Sequence, residues 1–277
     1  MAETTPPPLP DFLIIGAQKS ATRWLRVNLG LHPEVFTADA ELSFFDRPGK
    51  IDALGLDWYR HQFDGWSGER LVGEATPGYM MWRHDPARIA DRIQELLPDV
   101  RLLAVLRNPV DRARSGLVHH IKHQRVAPDA RLMDMVRRVP PTEDPLGLVS
   151  GGWYAASLRP YVRRFGDRLL VLLHDDVSTD PAGVFKQAAG HIGADPSFLP
   201  PELAEVRFSN QGETPGGERT GGSGRSRPRK GALTDDERVE LYAYFRRDVA
   251  QLERMIGRDL SHWDPEHAAV ATAEATA

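Results

Sequence analysis

The 277-residue sequence contains no cysteine. Disulfides, thiolate metal sites and cysteine nucleophiles are therefore excluded, and the redox compartment is left open. No apolar run approaches the length of a membrane span. The first ten residues, MAETTPPPLP, carry neither a basic segment nor an apolar one and do not read as a secretory leader. Charge of one sign is also lacking: 35 Lys and Arg stand against 39 Asp and Glu, a net charge of −4. Nothing global marks a nucleic-acid or membrane-surface binder. Together these absences give the expectation of a soluble, cytoplasmic protein with neither nucleic acid nor a membrane span among its partners.

What is present suits one large α/β core: 41% of residues are hydrophobic and 27% charged. Residues 1–10 are Pro-rich and predict an extended tail, and 264–277 predict a low-complexity one. Between them, apolar runs of strand length alternate with helical patterns. Phe12–Ile15, Val100–Leu106 and Leu169–Leu173 read as buried strands, and Leu71–Tyr79 as a short strand and a turn. Helices are expected from Thr22 to Leu31, from Asp85-Pro86 to Leu97, from near Asp111, from Tyr154 through Phe165, and from Asp180-Pro181 to about His191. Thr234 and Glu237 form a T-x-x-E capping box before a last helix whose buried face is Tyr242, Phe245, Val249, Leu252 and Ile256. Alternating strands and helices predict a parallel central sheet flanked by helices, in a single domain.

Two strand ends carry the chemistry. After Phe12–Ile15 the chain reads Gly16-Ala17-Gln18-Lys19-Ser20-Ala21-Thr22-Arg23 and enters a helix. A strand, a tight polar loop and a helix start bring free N–H groups and the positive end of a helix dipole to one point, which suits a phosphate. Lys19 adds a full charge, and Ser20 and Thr22 add hydroxyls. The loop is P-loop-like but too short for a Walker A motif, which requires G-x-x-x-x-G-K. The second strand end is Val100–Leu106, followed by Arg107-Asn108-Pro109 and a helix containing Ser115. Arg107 and Ser115 share the carboxyl edge of the sheet, where ligands bind in open α/β folds. An arginine there can hold a phosphate through two parallel hydrogen bonds.

The stretch from Gly16 to Trp24 resembles the 5′-phosphosulfate loop of sulfotransferases that use 3′-phosphoadenosine 5′-phosphosulfate (PAPS), with Ala21 where glycine is more usual. The stretch from Arg107 to Ser115 resembles the 3′-phosphate site of the same family. Other motifs follow in the family's order: Glu41 with Phe44 and Phe45, Glu74-Ala75-Thr76-Pro77-Gly78-Tyr79, Gly152-Trp153-Tyr154, and Asp259-Leu260-Ser261-His262-Trp263. The style is closest to heparan-sulfate-type, carbohydrate sulfotransferases, and the Ala, Arg, Gly and Pro content suggests a bacterial member.

The resemblance implies a sulfotransferase domain over 11–263 with a P-loop-like fold. It implies PAPS as donor, 3′-phosphoadenosine 5′-phosphate (PAP) as product, and no metal. Gln18, Lys19, Ser20, Ala21, Thr22, Arg23, Arg107 and Ser115 would hold the nucleotide. A basic lid in the Gly- and Arg-rich stretch 211–231, ending in Arg229-Lys230-Gly231, would close over the 3′-phosphate. Lys19 would stabilise the moving sulfuryl group. Glu41 would be the base on the acceptor hydroxyl, although Ala40 replaces the lysine usual before it. Glu74, His119 and His120 remain alternative acceptor-side groups. A P-loop-type small-molecule kinase and a non-catalytic PAP-binding module remain the alternative functions. The acceptor, a small molecule or a carbohydrate, and the oligomeric state are not legible.

Overall fold

The computed structural model describes residues 7–47, 49–201, 203 and 232–268. Five strands, β1 (Phe12–Gly16), β2 (Val35–Thr37), β3 (Leu71–Ala75), β4 (Arg101–Leu106) and β5 (Leu169–Leu173), form one sheet in the order β2-β3-β1-β4-β5. Every pairing is parallel. The helices are α1 (Thr22–Leu29), α2 (Lys50–His61), α3 (Pro86–Leu96), α4 (Pro109–Lys122), α5 (Leu132–Val136), α6 (Tyr154–Phe165), α7 (His174–Thr179), α8 (Pro181–Ile192), α9 (Asp235–Ala243) and α10 (Arg246–Ile256). The predicted parallel sheet flanked by helices is thus the observed architecture.

A parallel sheet needs crossovers, and crossovers cover both faces, so its strands are mostly apolar, with Glu74 of β3 the buried charged exception. Residues alternate accordingly. Leu13, Ile15, Leu102, Ala104 and Leu106 pack on one face against α3, α4 and α6. Phe12, Ile14, Leu103 and Val105 pack on the other against α1 and α8. Packing is close at Gly73 of β3, where a Cβ would come within 2.3 Å of the Phe12 ring. The chain leaves β1 toward one edge for β2 and β3, then returns to the other side for β4 and β5. That reversal places the carboxyl ends of β1 and β4 side by side, the position where open α/β sheets bind ligands.

The helix boundaries follow their capping chemistry. Asn108 caps α4 by accepting the Val110 N–H at 3.0 Å, and Pro109 occupies the first turn. The capping box of Thr234 and Glu237 opens α9 as read from sequence. The single last helix expected from the apolar stripe is instead two, α9 and α10, joined through Tyr244 and Phe245. Of the expected N-terminal tail, residues 7–10 lie against the domain: Leu9 packs on the core, and the Pro7 carbonyl accepts from Arg60. Beyond Trp263, Arg246 pairs with Asp264 and Glu266.

Candidate functional site

The loop between β1 and α1 is anchored to β4. The Ala17 N–H donates to the Val105 carbonyl at 2.8 Å, and the Ser20 N–H turns back to Ala17 at 3.2 Å. Lys19 and Ala21 both adopt left-handed backbone, with φ of 69° and 71°. Ala21 directly precedes α1 and contributes no side-chain cap. The first N–H groups of the helix are therefore not claimed by a capping side chain, and an anion could take them. Ser20 is wholly buried, and its Oγ, although near the Tyr154 hydroxyl, makes no hydrogen bond of good geometry. A buried hydroxyl without a partner at a helix start is a fitting donor for a phosphate oxygen. Thr22 is buried, Gln18 and Lys19 are half-buried, and Arg23 is exposed.

Arg107 emerges at the end of β4 and joins the two halves of the site. Its Nη1 donates to the Lys19 carbonyl at 3.4 Å, and its own carbonyl accepts the Tyr154 hydroxyl at 2.8 Å. Ser115 is half-buried two turns along α4. The corner is braced by the C-terminal segment. Asn108 Nδ2 donates to the Trp263 carbonyl at 3.1 Å, and Trp263 Nε1 donates to Asp175 at 2.7 Å. The terminal tryptophan motif therefore fixes the turn from which Arg107 projects.

Glu41 lies in the loop after β2. It is open to solvent, yet burial among neighbouring protein, then the charge of Asp46, pushes its carboxyl above the usual range, while Lys19 and Arg26 oppose the rise. Burial lowers the Lys19 ammonium from its ordinary value; Glu41 counters this, and Lys122 and Arg107 add to it. Lys19 thus shares an electrostatic environment with both Glu41 and Arg107. The predicted base and the predicted phosphate-binding arginine both act on the loop lysine. A carboxylate with raised pKa beside a lysine with lowered pKa is the pattern of acid–base and electrostatic catalysis.

The remaining sequence-predicted groups separate. Glu74 lies inside rather than on the cleft: it is wholly buried and its carboxylate accepts hydrogen bonds from Tyr59, Thr76 and Tyr79. It presents nothing to an acceptor. His120 is also internal, with Nε2 at 3.0 Å from the Leu146 carbonyl. His119 is half-exposed and faces the site; burial first, then the Lys19 charge, holds its pKa down to about 4. His119 and His123 approach with ring centroids 4.3 Å apart. Among the described residues no group of three or more His, Asp or Glu could hold a metal ion. The Arg229-Lys230-Gly231 lid lies outside the described residues.

One neighbour of the site was not singled out in sequence. His174 directly follows β5, and Leu173 is paired with Leu106, so His174 stands beside Arg107. Burial, then Arg107, lowers its pKa to about 4. The signal was available: a polar residue ending a buried parallel strand points to the same edge as Arg107.

Comparison with known proteins agrees with this fold. Heparan sulfate glucosamine 3-O-sulfotransferase 6 of Homo sapiens is 31% identical over 185 residues, spanning 66% of this chain and 52% of that protein. Bifunctional heparan sulfate N-deacetylase/N-sulfotransferase 4 of Mus musculus is 26% identical over 289 residues, spanning 92% of this chain and 31% of that protein. The chain thus spans about half the length of the 3-O-sulfotransferase relatives it matches. The crystal structure of a sulfotransferase from Alicyclobacillus acidocaldarius superposes with a TM-score of 0.70 at 28% identity, over 92% of this chain and 99% of that one. The family model described as the sulfotransferase domain matches residues 9–210, most of the sequence, and the chain belongs to the sulfotransferase family.

Proposed function

We propose that the protein transfers a sulfuryl group from PAPS to a hydroxyl of an acceptor by in-line displacement. The observation that carries this reading is the shared environment of Lys19, Glu41 and Arg107 at the carboxyl edge of β1 and β4. On this reading the loop N–H groups, Ser20 and Thr22 grip the 5′-phosphosulfate. Arg107 and Ser115, with Arg229 and Lys230, hold the 3′-phosphate. Lys19 neutralises charge as the S–O bond to the leaving phosphate breaks. Glu41 takes the acceptor proton as the hydroxyl oxygen attacks sulfur. The raised pKa of Glu41 makes it a stronger base than an ordinary carboxylate. Fixed donors aimed at the developing charge, with both reactants held in line, supply the catalysis. The heparan sulfate in the relatives' names favours a carbohydrate acceptor, and the 3-O-sulfotransferases among them favour a hydroxyl of it.

The test is calorimetric titration with PAP in the absence of metal, beside ATP with Mg²⁺, followed by assay of PAP release from PAPS over a panel of carbohydrate hydroxyls. Binding of PAP in preference to ATP, with turnover lost in Glu41→Gln while PAP affinity is kept, is the expected result. Preference for ATP overturns the reading in favour of a kinase. PAP binding with equal turnover in the parent and Glu41→Gln overturns the base assignment.

A further inference from the structure

The buried carboxylate of Glu74 is the hub of a relay that reaches the loop carrying Glu41. Its Oε1 accepts the hydroxyls of Tyr79 at 2.6 Å and Tyr59 at 2.9 Å, and its Oε2 accepts the Thr76 hydroxyl at 2.6 Å. A hydroxyl has one proton to give. Once that proton is committed to Glu74, only lone pairs remain for other partners. Two of the three hydroxyls turn those lone pairs to the same place. Thr76 Oγ1 accepts the Ser43 N–H at 3.2 Å, and the Tyr79 hydroxyl accepts the Phe44 N–H at 3.1 Å. Ser43 has a left-handed backbone with φ of 49°, so the chain bends sharply two residues after Glu41. The bend is where consecutive N–H groups most need fixed acceptors.

We infer that Glu74 is a positioning residue for Glu41: it orients the Thr76 and Tyr79 hydroxyls so that they accept from the backbone at Ser43 and Phe44 and hold the Glu41 loop against the site. The mechanistic weight of this relay rests on the proposed role of Glu41. The third hydroxyl supplies an internal control. Tyr59 donates to the same carboxylate, but its contact with the loop is through its ring, stacked on Phe44 with centroids 4.3 Å apart, and a phenylalanine keeps that stacking. Tyr59→Phe and Tyr79→Phe therefore remove the same kind of buried hydrogen bond from the same acceptor. Only the second removes an acceptor from the loop. Neutralising Glu74 itself would free all three hydroxyl protons at once and would blur this distinction.

The experiment is a carbon-13 NMR titration of the full chain labelled at glutamate carboxyls, with the Glu41 signal assigned by its loss in Glu41→Gln. Tyr79→Phe and Thr76→Val are expected to move the Glu41 midpoint down toward the ordinary 4.5, because a loosened loop carries the carboxylate away from the protein groups that crowd it. Tyr59→Phe is expected to leave the midpoint where it is in the parent, and Thr76→Ser, which keeps the hydroxyl, to restore it. Equal movement in Tyr59→Phe and Tyr79→Phe, or movement in neither, overturns the relay. If Thr76→Val does not fold, the two tyrosine variants decide the matter alone. The titration reads where Glu41 stands and not turnover. Retained turnover in Glu41→Gln would remove the base reading and leave the positioning result intact.

Discussion

The Arg107 guanidinium donates to the carbonyl of Lys19 at 3.4 Å, so the two phosphate-directed segments of the sequence are in direct contact. Eighty-eight residues separate them in the chain, and adjacent parallel strands bring them together. The contact has a consequence for nucleotide recognition. A guanidinium that touches the main chain of the 5′ loop is held at a fixed offset from it, and that offset can measure the distance between two phosphate groups on one ribose.

Arg107→Ala is accordingly expected to weaken PAP and to leave 5′-AMP, which lacks the 3′-phosphate, little changed. Loss of charge-assisted hydrogen bonds of about 1.5–3 kcal/mol corresponds to a roughly 10- to 100-fold rise in the PAP dissociation constant. Isothermal titration of both nucleotides against parent and variant measures the difference. Equal weakening of both nucleotides would show that Arg107 supports the loop and does not select the 3′-phosphate.

Lys19→Ala separates chemistry from binding. The loop N–H groups, Ser20 and Arg107 remain in the variant, so part of the PAP affinity survives. Removal of one charge-stabilising group from a site of this kind costs about 10²–10³ in turnover. Steady-state assay of PAP release beside calorimetry checks both halves of the expectation. Turnover equal to that of the parent would refute the role given to Lys19.

Much of this site is legible in sequence because it is local. A buried apolar run, a polar loop with one lysine, and an Arg-Asn-Pro corner each announce their geometry within a few residues. The edge position of Arg107 follows from the same rules. What could not be read is what depends on distant partners. Glu74 looks like a strand-end carboxylate, and its complete burial becomes tolerable only when Tyr59 arrives from α2 to join Thr76 and Tyr79 of the following turn. The break between α9 and α10 carries no glycine or proline to mark it, and the apolar stripe runs across it unchanged. His119 and His120 are neighbours on one helix, but only the tertiary packing decides that the first faces Lys19 and the second faces Leu146.

The histidines give the protein an acid sensitivity with a defined window. His119 and His174 are held to about 4 in the fold, each chiefly by burial, with Lys19 and Arg107 as the next causes. In the unfolded chain they take up protons near the ordinary 6.5. Between those values the unfolded state binds more protons than the folded state, so their contribution to stability falls as pH falls from 6.5 and levels off below about 4. Burial raises the carboxyl of Glu74, and that contribution runs in the opposite direction. The useful quantity is therefore a difference. The melting temperature of the parent minus that of the double variant His119→Asn, His174→Asn is expected to drop between pH 7 and pH 4. A difference independent of pH would show that these histidines are not held neutral by the fold.

Ala21 offers a test of the phosphate loop that does not require a ligand. Its φ of 71° places a methyl group in the left-handed region immediately before α1. An L-residue pays about 1–2 kcal/mol there relative to right-handed backbone. Glycine removes that penalty but loses about 0.5–1 kcal/mol more conformational freedom on folding. The balance favours Ala21→Gly by up to about 1 kcal/mol, or roughly 2–4 °C in melting temperature for a chain of this size. Ala21→Val should move the other way, because a β-branched side chain fits left-handed backbone worse than alanine does. Thermal unfolding of the three proteins at one pH measures the order Gly, Ala, Val. If valine proved as stable as glycine, the left-handed turn would not be a constraint on the loop, and the free N–H groups at the start of α1 would lose their structural explanation.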